Sequence, residues 1–147
     1  MTVPAMQPTE PESPAWLRGE APVQLTFPEG IPGFASYRSF RLEPVGGPLF
    51  WLRSSEEHGP DFLVVEPLAF LPDYQVEPEV WMLASLGVSQ VDELVTLAMV
   101  TLPAGAGEPA TMNLQGPILV NPHEGIGRQV VLPDSPLGPR TPIPVGL

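Results

Sequence analysis

The stretch ELVTLAMVTLPAGAGEPATMNLQGPILVNPHEGIGRQVVL (93–132) decides the fold class. Its first ten residues form the longest β-like run in the chain, and Pro103 closes it. GAGEP (105–109) reads as a loop tip. Three shorter runs follow: TMNLQ (111–115), ILVN (118–121) and RQVVL (128–132). Strands this short, cut by Gly and Pro, predict an all-β barrel or sandwich.

The same texture extends upstream. VQLTF (23–27) reads as a strand ending at Pro28, and EGIPGF (29–34) as a turn. SFRLE (39–43) alternates as a half-buried strand does, and PVGGP (44–48) turns the chain. LFWLR (49–53) and DFLVVE (61–66) are strands joined by the polar loop SSEEHGP. One segment, PEVWMLASLG (78–87), prefers helix. Pro78 suits a first helical position, Gly87 suits a C-terminal cap, and Glu77 and Glu79 favour the positive end of the helix dipole. Val80, Leu83 and Ala84 share one face, with Trp81 and Met82 off it. The expectation is a mostly β, small β-barrel-like single domain with one short helix at about 78–86.

Composition narrows the chemistry. The chain has 147 residues, a net charge of −11, 22 prolines, 14 glycines and no cysteine. One domain is the default at this length. Without cysteine there is no disulfide framework, thiolate metal site or thiol nucleophile. All six basic residues are arginine, so a Schiff-base lysine and a P-loop lysine are excluded. The negative charge argues against direct binding to nucleic acid. No apolar run reaches the roughly 18 residues that span a bilayer, so no membrane role is expected.

The organisation follows from proline placement. Residues 1–22 hold five prolines and read as a disordered acidic tail, with Trp16 and Leu17 as the exception able to dock. Residues 23–143 read as the domain, and 144–147 as a C-terminal tail. PDSPLGPRTPIPVGL (133–147) is expected to run extended over the surface, with Leu137, Ile143 and Val145 able to anchor it. The N-terminus lacks the basic and apolar parts of a signal peptide, and a cytoplasmic location is expected. Residues 22–147 carry 14 acids against five arginines, a net of −9, so the acidity belongs to the domain.

Candidates for catalysis are few. His58 and His123 sit in Gly/Pro loops (EEHGP and NPHEG), where Glu56, Glu57 or Glu124 could add oxygens to a metal, but no HExxH-type spacing is present. Adjacent carboxylates on a strand, as at Asp92 and Glu93, point to opposite faces and form no dyad. No G-x-S-x-G elbow occurs. No cofactor and no enzymatic activity are expected. Asn113 and Asn121 stand within β-like runs, where Asn is depleted. Each reads first as a turn asparagine satisfying backbone groups, and second as a polar contact to a partner.

The ordered set FPEGIPGFASYRSF (27–40), LFWLRSSEE (49–57), DFLVVEP (61–67), PDY (72–74), TMNLQGPILVN (111–121) and GRQVVL (127–132) resembles the flagellar assembly factor FliW family over about residues 23–143. The resemblance implies a small β-barrel-like fold and a regulator of flagellum biogenesis. It implies binding of flagellin in the cytoplasm and antagonism of the RNA-binding translational repressor CsrA, away from its RNA surface. Flagellin level would thereby set flagellin translation. The second expectation is a flagellin chaperone with no CsrA role. A monomer is expected.

The resemblance also implies residue roles. Gly30, Ile31, Pro32, Gly33 and Phe34 match a GIPGF-like turn, with Gly33 supplying a positive φ and Phe34 plugging the core. Trp51 and Leu52 match a core strand. Asn113, Leu114, Pro117 and Asn121 match T-x-N-L-x-x-P-x-x-x-N. Leu137 falls where the family often has an aromatic residue. On charge and placement, Asp73, Glu77, Glu79, Asp92 and Glu93 are the expected partner-binding acids, with Asn113 and Asn121 added.

Overall fold

Alternation in the strands sets which side chains meet. In 39–43, Phe40 and Leu42 are buried while Ser39, Arg41 and Glu43 face outward. Repeated around the molecule, this pattern closes a barrel. The computed structural model describes residues 22–144, so the expected disorder of the N-terminal tail, the docking of Trp16 and Leu17, and Val145 lie outside the described residues.

The strands are β1 (Val23–Thr26), β2 (Ser39–Gly46), β3 (Leu49–Ser54), β4 (Asp61–Val65), β5 (Val95–Thr101), β6 (Thr111–Met112), β7 (Ile118–Asn121), β8 (Ile126–Gln129) and β9 (Thr141–Pro142). The order β4-β3-β2-β1-β8-β7-β5, closed by a β4–β5 pairing, makes a seven-stranded barrel. Most neighbours are antiparallel. The exception is β1 against β8, which pair in parallel only at Thr26 and Ile126. β6 and β9 extend from the end of β5.

Three apolar clusters follow from the two sheet faces. Leu25, Phe27, Phe40, Leu42, Phe50, Leu52, Val64, Leu97, Ile118 and Val120 fill the barrel. Outside it, Val65, Ala98, Met112, Leu114 and Ile143 form a second cluster. Val76, Leu86, Leu94, Leu119 and Val130 form a third. All four residues of β7 are buried, because one face looks into the barrel and the other lies under the third cluster.

Several expectations shift. The run at 93–102 is strand only from Val95 to Thr101, since Val91–Glu93 forms a 3-10 turn. The run at 111–115 is strand only at Thr111–Met112. Asn113 Oδ1 accepts the N–H groups of Gln115 and Gly116 and bends the chain there. The helix, α1 (Val80–Ser85), starts after Pro78, with Glu79 as its cap residue in extended geometry. Gly87 follows it at φ 77°, the left-handed conformation expected of a helix end.

The packed face of α1 is not the one that Val80, Leu83 and Ala84 share. Met82 and Leu83 pack on the third cluster, while Val80 is 80% exposed and Ala84 is exposed. The helix is under two turns long. Its seating is set by Val76 before it and Leu86 after it, both buried, so helical periodicity has little to decide.

Two family-motif positions are corrected as well. Phe34 does not plug the core. It is 39% exposed and meets Phe62 edge to face at 5.3 Å, while Ile31 takes the buried position. Trp51 faces outward under the Arg53 guanidinium, because the alternation that buries Phe50 and Leu52 turns residue 51 out. Pro32 is exposed and Gly33 has φ 88°. The C-terminal segment is more than a surface strap: β9 pairs with β6 and Ile143 is buried.

Candidate protein-binding surface

The approach to α1 alternates like a strand without pairing as one. In PDYQVEP (72–78), Tyr74 and Val76 turn inward while Asp73, Gln75 and Glu77 face solvent. The Tyr74 hydroxyl donates to the Leu114 carbonyl oxygen at 2.8 Å. Burial pushes its phenol from 10.0 up to about 12. That anchor fixes the backbone carrying Asp73 and Glu77.

Segment 131–137 runs opposite. Leu132 and Leu137 pin it to the third and second clusters. Between the two walls lies a cleft of about 650 Å³. Among the described residues, Asp73, Glu77, Glu79 and Asp134 line it, and no arginine or histidine does. Among the described residues none of these four carboxylates has an ion-pair partner. Arg41 and Arg53 are engaged elsewhere, on the outer face of β2 and β3, with Glu43 and Asp61. Those two guanidiniums hold the Glu43 carboxyl below the usual carboxylate range.

The cleft therefore presents uncompensated negative charge above an apolar floor that includes Met82. Such a site attracts cations and cationic peptide. At its rim Trp81 is 52% exposed, with its indole N–H donating to Glu79 and the Arg128 guanidinium 4.8 Å from its ring centre.

Three of the five expected acids share this cleft, and two do not. Asp92 and Glu93 lie in the 3-10 turn beyond α1. The Glu93 carboxylate accepts the N–H groups of Ser89 and Gln90, which makes it a cap. Asn121 is buried. Its amide donates to the Leu86 carbonyl oxygen, and its oxygen accepts the N–H groups of His123 and Glu124. Asn113 spends its oxygen on its own turn. Leu114 and Pro117 are buried beside these turns.

Asp134 and Trp81 escaped the sequence reading. Asp134 stands 55 residues or more along the chain from the other cleft acids, and only the fold brings it to them. Trp81 stands off the face that Val80, Leu83 and Ala84 share, but nothing in the sequence marks it as a rim group. The two histidines sit apart from the cleft. His58 has φ 64° and is exposed beside Glu57. Glu56 instead accepts the N–H groups of Ser39 and Arg38, which hold its carboxyl below the usual range. Among the described residues no group of three metal-ligating side chains is gathered, and no helix is long and apolar enough to cross a membrane.

The family profile described as FliW protein matches residues 15–143. The flagellar assembly factor FliW of Natranaerobius thermophilus is 34% identical over 121 residues, covering 81% of this chain and 80% of that protein. The FliW of Syntrophotalea carbinolica is 38% identical, covering 82% of this chain and 86% of that one. A crystal structure of the flagellar assembly factor FliW superposes with a TM-score of 0.75 at 26% identity, covering 82% of this chain and 84% of that chain.

Proposed function

The chain belongs to the FliW family of flagellar assembly factors, and we propose that it is a cytoplasmic protein-binding regulator that engages flagellin and the translational repressor CsrA. The observation that supports this reading is the unpaired acidic cleft between 73–82 and 131–137. A protein that holds RNA must carry basic surface. An acidic cleft steers such a partner in and raises its on-rate without competing for the phosphate backbone itself. In this reading flagellin occupies the protein while it accumulates in the cell. Its export frees the protein to bind CsrA and relieve repression of flagellin translation. The chain acts by binding and performs no covalent step.

Isothermal titration with the flagellin and the CsrA of the same organism tests it. Binding of both at tens of micromolar or tighter, on the order of −6 kcal/mol, is expected. Binding of flagellin alone returns the chaperone reading, and binding of neither removes the proposal.

A further inference from the structure

We infer that the partner segment docks by adding a β-strand to the open edge of the extended run that continues β8, at Gln129–Val131, with lysine or arginine side chains entering the acidic cleft. This rests on the reading of the chain as a protein-binding regulator and specifies how its partner is held.

The edge follows from hydrogen-bond parity. Val130 donates to the Pro117 carbonyl oxygen at 2.9 Å and Leu132 to that of Gln115 at 2.8 Å. Even-numbered residues of this run thus bond towards β7. By the alternation of an antiparallel ladder, Gln129 and Val131 direct their N–H and C=O groups the other way. On that side β1 meets β8 only at Thr26 and Ile126 and then turns off. Among the described residues no backbone bond reaches the Val131 N–H or C=O. Val131 is 60% exposed and stands among the residues that line the cleft. A free strand edge carrying an exposed apolar side chain is a template for another strand.

Charge selects the occupant. An added strand at Val131 passes beside Asp73, Glu77, Glu79 and Asp134. An extended segment with Lys or Arg at alternate positions matches both the ladder and the charge. A second copy of this chain, at −11, is repelled. The chain's own residues 1–21 carry three glutamates against Arg18, the same sign as the cleft.

The test is backbone amide exchange of the full chain, followed by NMR, alone and with saturating flagellin or CsrA. At least one partner is expected to slow exchange at Gln129 and Val131 by about tenfold or more. Val131→Pro removes the edge donor and is expected to weaken that partner at least about tenfold, whereas Val131→Thr keeps the N–H and stays within about twofold. Partner binding with no change at either amide overturns the inference while leaving the regulator reading intact. Exchange at Val131 that is already slow in the free chain, and quickens when residues 1–21 are deleted, also overturns it, since the chain then covers its own edge. Failure of both partners to bind the wild type overturns this inference together with the regulator reading.

Discussion

The Asn121 side-chain amide donates to the Leu86 carbonyl oxygen at 2.7 Å across 35 residues of sequence. One buried residue thereby joins the end of α1 to the turn after β7. Its oxygen serves two N–H groups of that turn at the same time. Removing it strands buried backbone groups, which costs more than the bonds themselves contribute. Asn121→Ala is expected to lower stability by about 2 kcal/mol, or roughly 4–8 °C in Tm at this size. Thermal unfolding followed by circular dichroism measures it.

Two glycines of the GIPGF turn are expected to respond differently. Both have positive φ, but a Cβ on Gly30 would stand 2.5 Å from the Ala35 Cα, whereas a Cβ on Gly33 would meet nothing within 4 Å. Gly33→Ala is expected to cost about 1 kcal/mol, from the left-handed backbone alone. Gly30→Ala adds a clash with main chain and is expected to cost about 3 kcal/mol or more. Chemical denaturation of the two variants side by side gives the difference.

Tyr74 makes stability fall at alkaline pH. Its phenol titrates near 10.0 when unfolded and at about 12 when folded. The neutral hydroxyl is thus the form the fold prefers. Its contribution is fully present below pH 10.0 and is lost as pH rises towards about 12. Tyr74→Phe is expected to lose about 1 kcal/mol at neutral pH, through the missing bond to Leu114, and to unfold with a shallower pH dependence between those two values. Thermal midpoints across that range check the sign.

Much of the barrel was legible in the sequence, because period-two burial in 39–43 and 49–53 and Gly/Pro punctuation are local signals. Seven closed strands, their order and the parallel β1–β8 contact were not, since these are set by pairings far apart in the chain. Phe34 shows the limit of reading burial from residue type: the turn that Gly30 and Gly33 permit puts Ile31 inside and leaves the larger ring at the rim. Of the candidate surface, Asp73, Glu77 and Glu79 could be found by charge next to a short helix. Asp134 could not, because only the anchoring of 131–137 by Leu132 and Leu137 brings it across the cleft. Nor could charge alone separate Glu93, a cap, from an acid free to meet a partner.

The most direct measurement is the affinity of flagellin and CsrA for a chain whose cleft charge is reversed. Glu77→Lys with Asp134→Lys changes one acid on each wall, while Asp92→Lys with Glu108→Lys makes the same charge change at exposed positions outside the cleft. By isothermal titration the cleft pair is expected to weaken CsrA by about tenfold or more, and the outer pair by about twofold or less. Equal affinities for the two double variants would contradict the account, because net acidity and not the cleft would then be drawing the partner.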